Sequence, residues 1–409
     1  MIKHAPDGWK VEKISDTVFF QEGPGVRKTQ FTESGVKLLN VGNINDNKIN
    51  LNTTKIYISE EEAYGKYKHF LIEDGDLLIA CSGIVVKTFH KKIAFITKKD
   101  LPLCLNTSTM RFRTLDKKNL DINFFKFFLM TDTFRHQLQR LITGSAQLNF
   151  GPSHIKQMFI AIPPLPQQEK IVKVLDISSA LIEKQKELIS NYDLFLKSKF
   201  IEMFGDPIKN PMGWEVKKLD SFTTLVSSGS TPKGGQSSYL AEGEIRFIRS
   251  QNVRMNKMDY NGIYYISEEV YTKMKRSQVK YNDVLLNITG ASIGRTAIYK
   301  DTTKANVNQH VCIIRLTEEL NNEYLSFMIS TDSFQNQIIS NQSGATREAL
   351  NYSQIKKFNI PYPPIDLQNK FASIVEKIEQ IKIKETQKLE HLETLHKSLI
   401  DKAFKGEVA

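Results

Sequence analysis

The chain has 409 residues, of which 40% are apolar, so it can bury a sizeable core and is not a disordered protein. It carries 56 Lys and Arg residues against 45 Asp and Glu residues, and this net charge of +11 favours a polyanionic partner, nucleic acid above all. Its three cysteines are too scattered for a disulfide framework or a paired-cysteine metal site, and we find no membrane-spanning run and no apolar signal core at the N-terminus, so we expect a cytoplasmic protein.

The chain contains two copies of one sequence unit. The two copies share several short segments in the same order, and the offset between them drifts by only a few residues, as loop insertions would produce. The matched segments are Gly8–Val11 with Gly213–Val216, Tyr57–Glu61 with Tyr265–Glu269, Asp76–Leu78 with Asp283–Leu285, Thr131–Phe134 with Thr331–Phe334, and Pro163–Pro164 with Pro363–Pro364.

Each copy follows the same plan. Short β-rich runs, separated by Gly, Asn and Asp, come first. A helix with apolar residues at helical spacing follows, and a Pro-Pro turn then leads into a long helix. This order predicts α+β modules at residues 1–162 and 207–362, and long helices at residues 163–206 and 363–409.

Both long helices carry apolar residues at heptad spacing, which predicts that they pack against each other as an antiparallel coiled coil. The alternative is that each helix lies on its own module. All twelve arginines fall within the modules, whereas the basic residues of the helices are lysines, which suggests two recognition modules and two helical spacers. The predicted seam residues are Val174, Leu181, Leu188 and Phe195 in the first helix and Ile378, Leu392 and Leu399 in the second. In the first helix a second apolar column runs beside the seam, formed by Leu175, Ile182, Ile189, Leu196 and Met203.

No catalytic constellation is recognisable in the sequence. The stretch 229–236 spaces its glycines as a phosphate-binding loop does, but Gly235 stands where that loop requires lysine. The eight histidines show no metal-ligand spacing. We therefore expect a protein that recognises a ligand, without a metal or a cofactor of its own.

The whole chain resembles the specificity subunit of type I restriction–modification systems. The resemblance rests on the doubled Gly-Trp openings, the Asp-Leu-Leu and Asp-Val-Leu strands, the loops 144–149 and 344–351, the helix openings at 163–171 and 363–368, and the ending 397–407. Each motif is weak alone, but their repeated, ordered combination is highly specific.

The resemblance implies the following expectations. Two pseudo-symmetric target recognition domains would each read one half of a bipartite, asymmetric DNA site. The two helices would set the gap between the halves and dock two methyltransferase subunits, and restriction (motor-nuclease) subunits would join them. S-adenosylmethionine, ATP and Mg²⁺ would be used by those partners. This chain would have no activity of its own, whereas the assembled complex would be a type I endonuclease and an adenine-specific DNA methyltransferase.

Polar loops rich in Arg, Lys, Gln, Asn and Gly are the predicted DNA contacts, since Arg suits guanine edges and amides suit adenine edges. The stretch 249–254 is the first choice, with its repeat partner at 40–45. The loops 83–87 and 290–295 come second, and two single residues come third. The residues predicted to contact DNA are Arg249, Gln251, Asn252, Arg254, Asn43, Lys87, Arg295, Gln147 and Arg347.

Two other functions stay open at this point. The chain could be the recognition subunit of a related system whose partner fuses nuclease and methyltransferase. It could also be a basic scaffold that binds without sequence preference. Any one of the predicted contacts could also be an ordinary solvated loop residue.

Overall fold

The computed structural model describes residues 5–142, 147–232, 234–340 and 349–407. The chain divides into two compact units, one formed by Met1–Gln185 with Lys388–Ala409 and the other by Lys186–Gln387. Each unit therefore joins one globular module to a part of each long helix. The segments predicted from the sequence, 1–162, 163–206, 207–362 and 363–409, separate the modules from the helices and do not coincide with these units. They stay a prediction.

The first module consists of short strands and helices. Its strands are β1 (Lys10–Lys13), β2 (Val18–Glu22), β3 (Val36–Leu39), β4 (Ile44–Asn45), β5 (Lys48–Ile49), β6 (Tyr57–Ile58), β7 (Leu77–Ala80), β8 (Ile84–Val85), β9 (Ile93–Phe95), β10 (Leu103–Leu105), β11 (Thr109–Thr114), β12 (Gln147–Leu148) and β13 (Phe159–Ile162). Its helices are α1 (Ile14–Thr17), α2 (Glu60–Tyr64), α3 (Ile122–Met130), α4 (Asp132–Leu141) and α5 (Pro152–Ile155). The central helix, α6 (Leu165–Phe204), follows.

The second module repeats most of this order. Its strands are β14 (Val216–Lys218), β15 (Thr223–Ser228), β16 (Ile245–Ile248), β17 (Val253–Arg254), β18 (Lys257–Met258), β19 (Tyr264–Ile266), β20 (Gln278–Val279), β21 (Val284–Asn287), β22 (Thr296–Ile298), β23 (Ala305–Val307), β24 (Val311–Leu316) and β25 (Asn359–Pro361). Its helices are α7 (Glu268–Lys273), α8 (Asn322–Ser330), α9 (Asp332–Ser340) and α10 (Tyr352–Lys356). The terminal helix is α11 (Ile365–Ala403).

The two modules share their sheet topology. An antiparallel sheet β2-β11-β7-β9 in the first corresponds to β15-β24-β21-β22 in the second. A mixed sheet accompanies each, in which β3 runs parallel to β10 and β16 runs parallel to β23. The predicted α+β class and the internal duplication are confirmed.

A buried aspartate explains the repeated Asp-Leu-Leu and Asp-Val-Leu motif. Asp76 precedes β7 and forms ion pairs with Arg111 and Arg113 of the neighbouring strand β11. In the second module, Asp283 precedes β21 and binds Arg315 of β24, with the two oxygens 2.8 and 2.7 Å from Nε and Nη2. Arginine in the modules therefore has a structural role as well as any role in recognition.

A buried glutamine explains the Pro-Pro motif. Gln168, in the first turn of α6, accepts a hydrogen bond from the Asp121 backbone N–H at 2.8 Å and donates to the Pro163 carbonyl at 2.9 Å. In the second module, Gln368 accepts a hydrogen bond from the Asn321 backbone N–H and donates to the Pro363 carbonyl in the same way. Each glutamine thus joins the start of a long helix to the start of α3 or α8. Because a buried amide is costly without hydrogen-bond partners, these bonds hold the helix in place.

Both long helices contribute to both cores. In the first unit, Leu175 of α6 and Ile400 of α11 are buried in one cluster with the module's own apolar residues. In the second unit, Phe200 of α6 and Phe371 of α11 are buried in the same way. Among the described helices, none is both long and apolar enough to cross a membrane.

The helices run antiparallel where they meet within a unit. In the second unit, Lys382 Nζ donates to Asp193 Oδ1 at 2.6 Å, and further along α6 the ring of Phe204 lies 5.6 Å from that of Phe371, earlier on α11. In the first unit, the Ser178 hydroxyl and His396 Nδ1 are hydrogen bonded at 2.7 Å. The helices therefore pack both against each other and against the modules.

The seam prediction is wrong for the central helix. Val174, Leu181, Leu188 and Phe195 are 36, 50, 37 and 47% exposed. The buried column is the adjacent one, which contains Leu175, Ile182 and Leu196. Neighbouring residues lie about 100° apart around a helix, and here both columns are apolar at heptad spacing, so the pattern alone does not show which one faces the partner helix.

The predicted column of the terminal helix lies closer to the packed side. Ile378 packs against the core of the second unit, and Leu399 packs against the core of the first. Leu392 is half-buried.

The buried aspartate gives a test of stability. We expect Asp76→Asn to lower the free energy of unfolding by about 3–5 kcal/mol, because it leaves the Arg111 charge buried without its counter-ion. The matched control is Glu73→Gln, since Glu73 is exposed and forms its ion pair with Arg113, and it should cost less than about 1 kcal/mol. Urea unfolding of both variants measures the difference, and equal losses would contradict the role assigned to Asp76.

Candidate nucleic-acid interface

The stretch 249–259 of the second module forms a turn and a hairpin after β16. A 3₁₀ turn (Ser250–Asn252) leads into the β17–β18 hairpin, whose bend places Asn256 at φ 53°, in the left-handed region. Asn252 is fully buried: its Oδ1 accepts from the Arg249 backbone N–H at 3.0 Å, and its Nδ2 donates to the Asp259 carbonyl at 2.9 Å. Asn252 therefore shapes the loop from inside.

Asn43 does the same in the first module. It is fully buried, its Oδ1 accepts from the Asn40 N–H at 2.9 Å, and its Nδ2 donates to the Asn50 carbonyl at 2.9 Å. Both amides are fully engaged inside their loops, which corrects their placement as surface contacts. The exposed residues around them are left to face a ligand.

Gln251 and Arg254 lie on the outer side of this loop. Gln251 is exposed, and the Arg254 side chain is about half exposed, with Nε 3.4 Å from Asp259 Oδ2. The pKa of Asp259 is lowered, chiefly by the hydrogen bond from the Asn261 backbone N–H and further by Arg254. Arg254 retains donors for another partner, because this single contact occupies only one of its five N–H groups.

Two further arginines of this region are held by aromatic rings. The guanidinium of Arg249 lies over Tyr264, 4.2 Å from the ring centre, and donates to the Gly262 carbonyl at 3.1 Å. Arg246 lies over Tyr260 at 4.3 Å and forms an ion pair with Asp301. Stacking leaves the plane of a guanidinium oriented, which suits recognition of a flat edge.

The structure brings the loop 290–295 next to this hairpin. Asn287, at the end of β21, donates from Nδ2 to the Ser250 carbonyl at 2.8 Å, while its backbone N–H donates to the Arg295 carbonyl at 2.8 Å. Arg295 is half-buried. Two of the predicted DNA-contact segments therefore lie side by side.

Asn287 was not among the predicted functional residues. The only signal was a polar residue at the end of the buried run Val284–Leu286.

In the first module, Lys92 makes the contact to the hairpin that Asn287 makes in the second. Lys92 Nζ donates to Asn45 Oδ1 at 2.6 Å and lies 3.3 Å from the Val41 carbonyl oxygen. Burial lowers the pKa of Lys92 from its ordinary value. Lys92 was also not predicted, because a lysine before a strand has no distinctive spacing.

The hairpin of the first module presents amides in place of arginines. Asp46 and Asn47 occupy its bend with φ of 47° and 59°, and Asn45 is exposed on its first strand. Lys48 forms an ion pair with Glu183 of α6. The two modules therefore carry the same hairpin with different exposed chemistry.

The remaining predicted contacts are placed only in part. Gln147 lies in β12, which pairs with β8 so that Gln147 is opposite Val85, and Lys87 lies in the 3₁₀ segment Val86–Lys91. The side chains of Gln147 and Lys87, and the whole of Arg347, lie outside the described residues. Asn149 lies against the start of the loop 83–87, since its Oδ1 accepts a hydrogen bond from the Gly83 N–H at 2.8 Å.

Comparison with known proteins gives a consistent family. The model of the type I restriction modification DNA specificity domain matches residues 6–191 and again 211–394. The specificity subunit of the type I restriction enzyme MjaIX from Methanocaldococcus jannaschii is 23% identical, over 98% of this chain and 94% of its own. That of EcoKI from Escherichia coli is 22% identical, over 98% and 90%.

A solved structure shows the same fold. A chain from a structural study of complex assembly and conformational transition of the type I R-M system aligns with a TM-score of 0.58 and 17% identity, over 99% of both chains. Two copies of the family domain, each covering one module and part of its long helix, account for most of the sequence. The chain belongs to the family of type I restriction–modification DNA specificity subunits.

Proposed function

We propose that each module reads one half of a bipartite, asymmetric DNA site, and that the long helices set the gap and dock two modification (methyltransferase) subunits. Restriction subunits join that core in the proposed complex. S-adenosylmethionine, ATP and Mg²⁺ are used by the partner subunits, and this chain contributes recognition without catalysis. The proposed compartment is the cytoplasm.

One observation carries this proposal: the two modules keep the inner support of their hairpins and change the outer residues. Asn43 and Asn252 are buried in the same role. Three residues before and two residues after these asparagines, Asn40 and Asn45 of the first module correspond to Arg249 and Arg254 of the second. Of these four side chains, Asn45 and Arg254 are exposed. Arginine pairs with guanine O6 and N7 and amides pair with adenine, so two unlike half-sites are expected.

The exposed apolar column of the central helix supports the proposal that the long helices dock the modification subunits. Leu181 and Phe195 belong to a helix whose other apolar side is already buried against α11 and the module cores. An apolar heptad column left exposed in this way is typical of a surface that receives another helix.

The two open alternatives make different predictions. A basic scaffold would bind random and cognate duplexes equally in a gel shift. A partner that fuses nuclease and methyltransferase would co-purify as a single large chain. The proposal predicts a preferred sequence and separate modification and restriction subunits.

The outer residues of the hairpin give the first test. We expect Arg254→Ala and Gln251→Ala each to weaken binding to the cognate site by about 1–3 kcal/mol and to relax discrimination at one base position, if each side chain reads a base. The matched charge control is Lys275→Ala, an exposed residue after α7, which should leave discrimination unchanged. Binding to duplexes mutated one position at a time measures both.

A uniform loss across all of these duplexes would show that Arg254 contacts phosphate and not a base. Asn252→Ala serves as the structural control: it should lower the free energy of unfolding by about 1–3 kcal/mol, because it leaves buried backbone groups without partners. Loss of discrimination without loss of stability in Asn252→Ala would contradict the support role of that residue.

The length of the helices gives the second test. We expect one added heptad in each helix, between Gln185 and Lys186 and between Gln387 and Lys388, to keep the packing register and to lengthen the pair by about 10 Å. The preferred gap between half-sites should then increase by about three base pairs at 3.4 Å each. Selection from DNA libraries with variable gaps measures this, and an unchanged gap would contradict the proposed role of the helices.

A further inference from the structure

We infer that Gln309 of the second module reads an adenine base, and that Thr231 and His310 hold its amide in position to do so. This inference rests on the proposed function, because it names one base-reading side chain within the DNA contact proposed for this module. Gln309 lies in the turn between β23 and β24, outside the segments that the sequence predicts as DNA contacts.

The turn after β23 lies between the two segments of this module that are predicted to contact DNA, 249–254 and 290–295. The backbone N–H of Asn308 donates at 2.9 Å to the carbonyl that directly precedes the first segment. The carbonyl of His310 accepts at 3.0 Å from the backbone N–H two residues before the second segment. A duplex that contacts both segments would therefore also meet the turn, where Gln309 is exposed.

Two neighbouring side chains orient the Gln309 amide. Its Oε1 accepts a hydrogen bond from the Thr231 hydroxyl at 2.8 Å, and its Nε2 lies 3.1 Å from His310 Nε2. Because an amide nitrogen only donates, this imidazole nitrogen must accept. The imidazole proton is then on Nδ1, which lies 2.6 Å from the Thr289 hydroxyl oxygen. These hydrogen bonds fix the positions of both the oxygen and the nitrogen of the amide.

The held amide retains the groups that recognise adenine. Within the described part of the chain, its two bonds use one of its two N–H groups and one of the two lone pairs of its oxygen, and they leave one of each for a ligand. Adenine offers the matching pair in the major groove, since N7 accepts and the N6 amino group donates. Guanine offers two acceptors there and would leave the amide oxygen unpaired. An amide that is already oriented also loses less entropy on binding.

A glycine allows Thr231 to reach this turn. A Cβ on Gly229 would lie 1.6 Å from the carbonyl oxygen of Val307, so a residue with a side chain would push this segment away from the turn. The first module has the same close approach, between Gly23 and the backbone of Asn106. Both modules therefore keep this segment next to the turn.

The first module keeps the support of the turn and lacks the polar network. In both modules an asparagine accepts, through Oδ1, from the backbone N–H two residues later, Asn106 at 3.2 Å and Asn308 at 3.1 Å. The three positions of the network all differ. By strand register, the residues that correspond to Thr231, Gln309 and His310 are Gly25, Thr107 and Ser108. This turn is therefore expected to read adenine in one half-site and not in the other.

Substitution by the first module's residue tests the reading role. We expect Gln309→Thr to lower the discrimination against other bases at one A·T pair by about tenfold to a hundredfold, the range of a bidentate base contact. The matched control is Thr107→Ala, at the corresponding exposed position of the first module, which should leave that pair unchanged. Binding of the full-length chain to cognate duplexes changed at one position at a time measures both.

His310 tests the positioning role. We expect His310→Ala to lower discrimination at the same A·T pair by about threefold to tenfold, because the Gln309 amide loses one of the two bonds that orient it. His310→Gln, which can place an acceptor near the same point, should restore most of this discrimination. A merely structural role of His310 would lower thermal stability and weaken binding to every duplex, and thermal unfolding is measured on each variant.

Unchanged discrimination in Gln309→Thr, a uniform loss across all duplexes, or a loss at a G·C pair would overturn this inference. The proposed function would survive each of these results if Arg254→Ala still relaxes discrimination at a position of its own. An unmodified chain with no preferred sequence would overturn the proposed function as well. A loss in His310→Ala that His310→Gln does not restore would overturn the positioning role.

Discussion

The structure depends on one constraint: each long helix must bury one part of its apolar side in the first core and another part in the second. Leu175 and Phe200 do this for the central helix, and Phe371 and Ile400 do it for the terminal helix. Neither module core is complete without residues that come from both helices. A substitution at these positions would therefore remove packing from a module as well as from the helix pair.

The same division between inside and outside recurs in the loops. Buried asparagines hold the hairpins, and buried aspartates fix the strands beside them through arginines. The exposed residues differ between the modules, while the buried supports are the same. This arrangement allows a duplicated scaffold to bind two different ligands, because stability and recognition rest on different side chains.

The sequence was sufficient to predict the duplication, the α+β class and the two long helices, because each leaves a repeated or periodic pattern. It was not sufficient to choose between two adjacent apolar columns, and Leu181 and Ile182 look alike until burial separates them. The sequence also did not show which arginines are structural: Arg111 and Arg315 form ion pairs with buried aspartates, whereas Arg254 is exposed. Asn43 and Asn252 look like surface amides in the sequence because each is held by backbone groups of its own loop, which leave no sequence pattern.

The central claim is that each module reads its own half of the DNA site. Its most direct test is a selection from a randomised duplex library with the complex that carries Gln251→Gly and Arg254→Asn, the residues found at positions 42 and 45 of the first module. We expect altered preference in one half of the selected site, with the other half and the gap unchanged. Altered preference in both halves, or in neither, would contradict it.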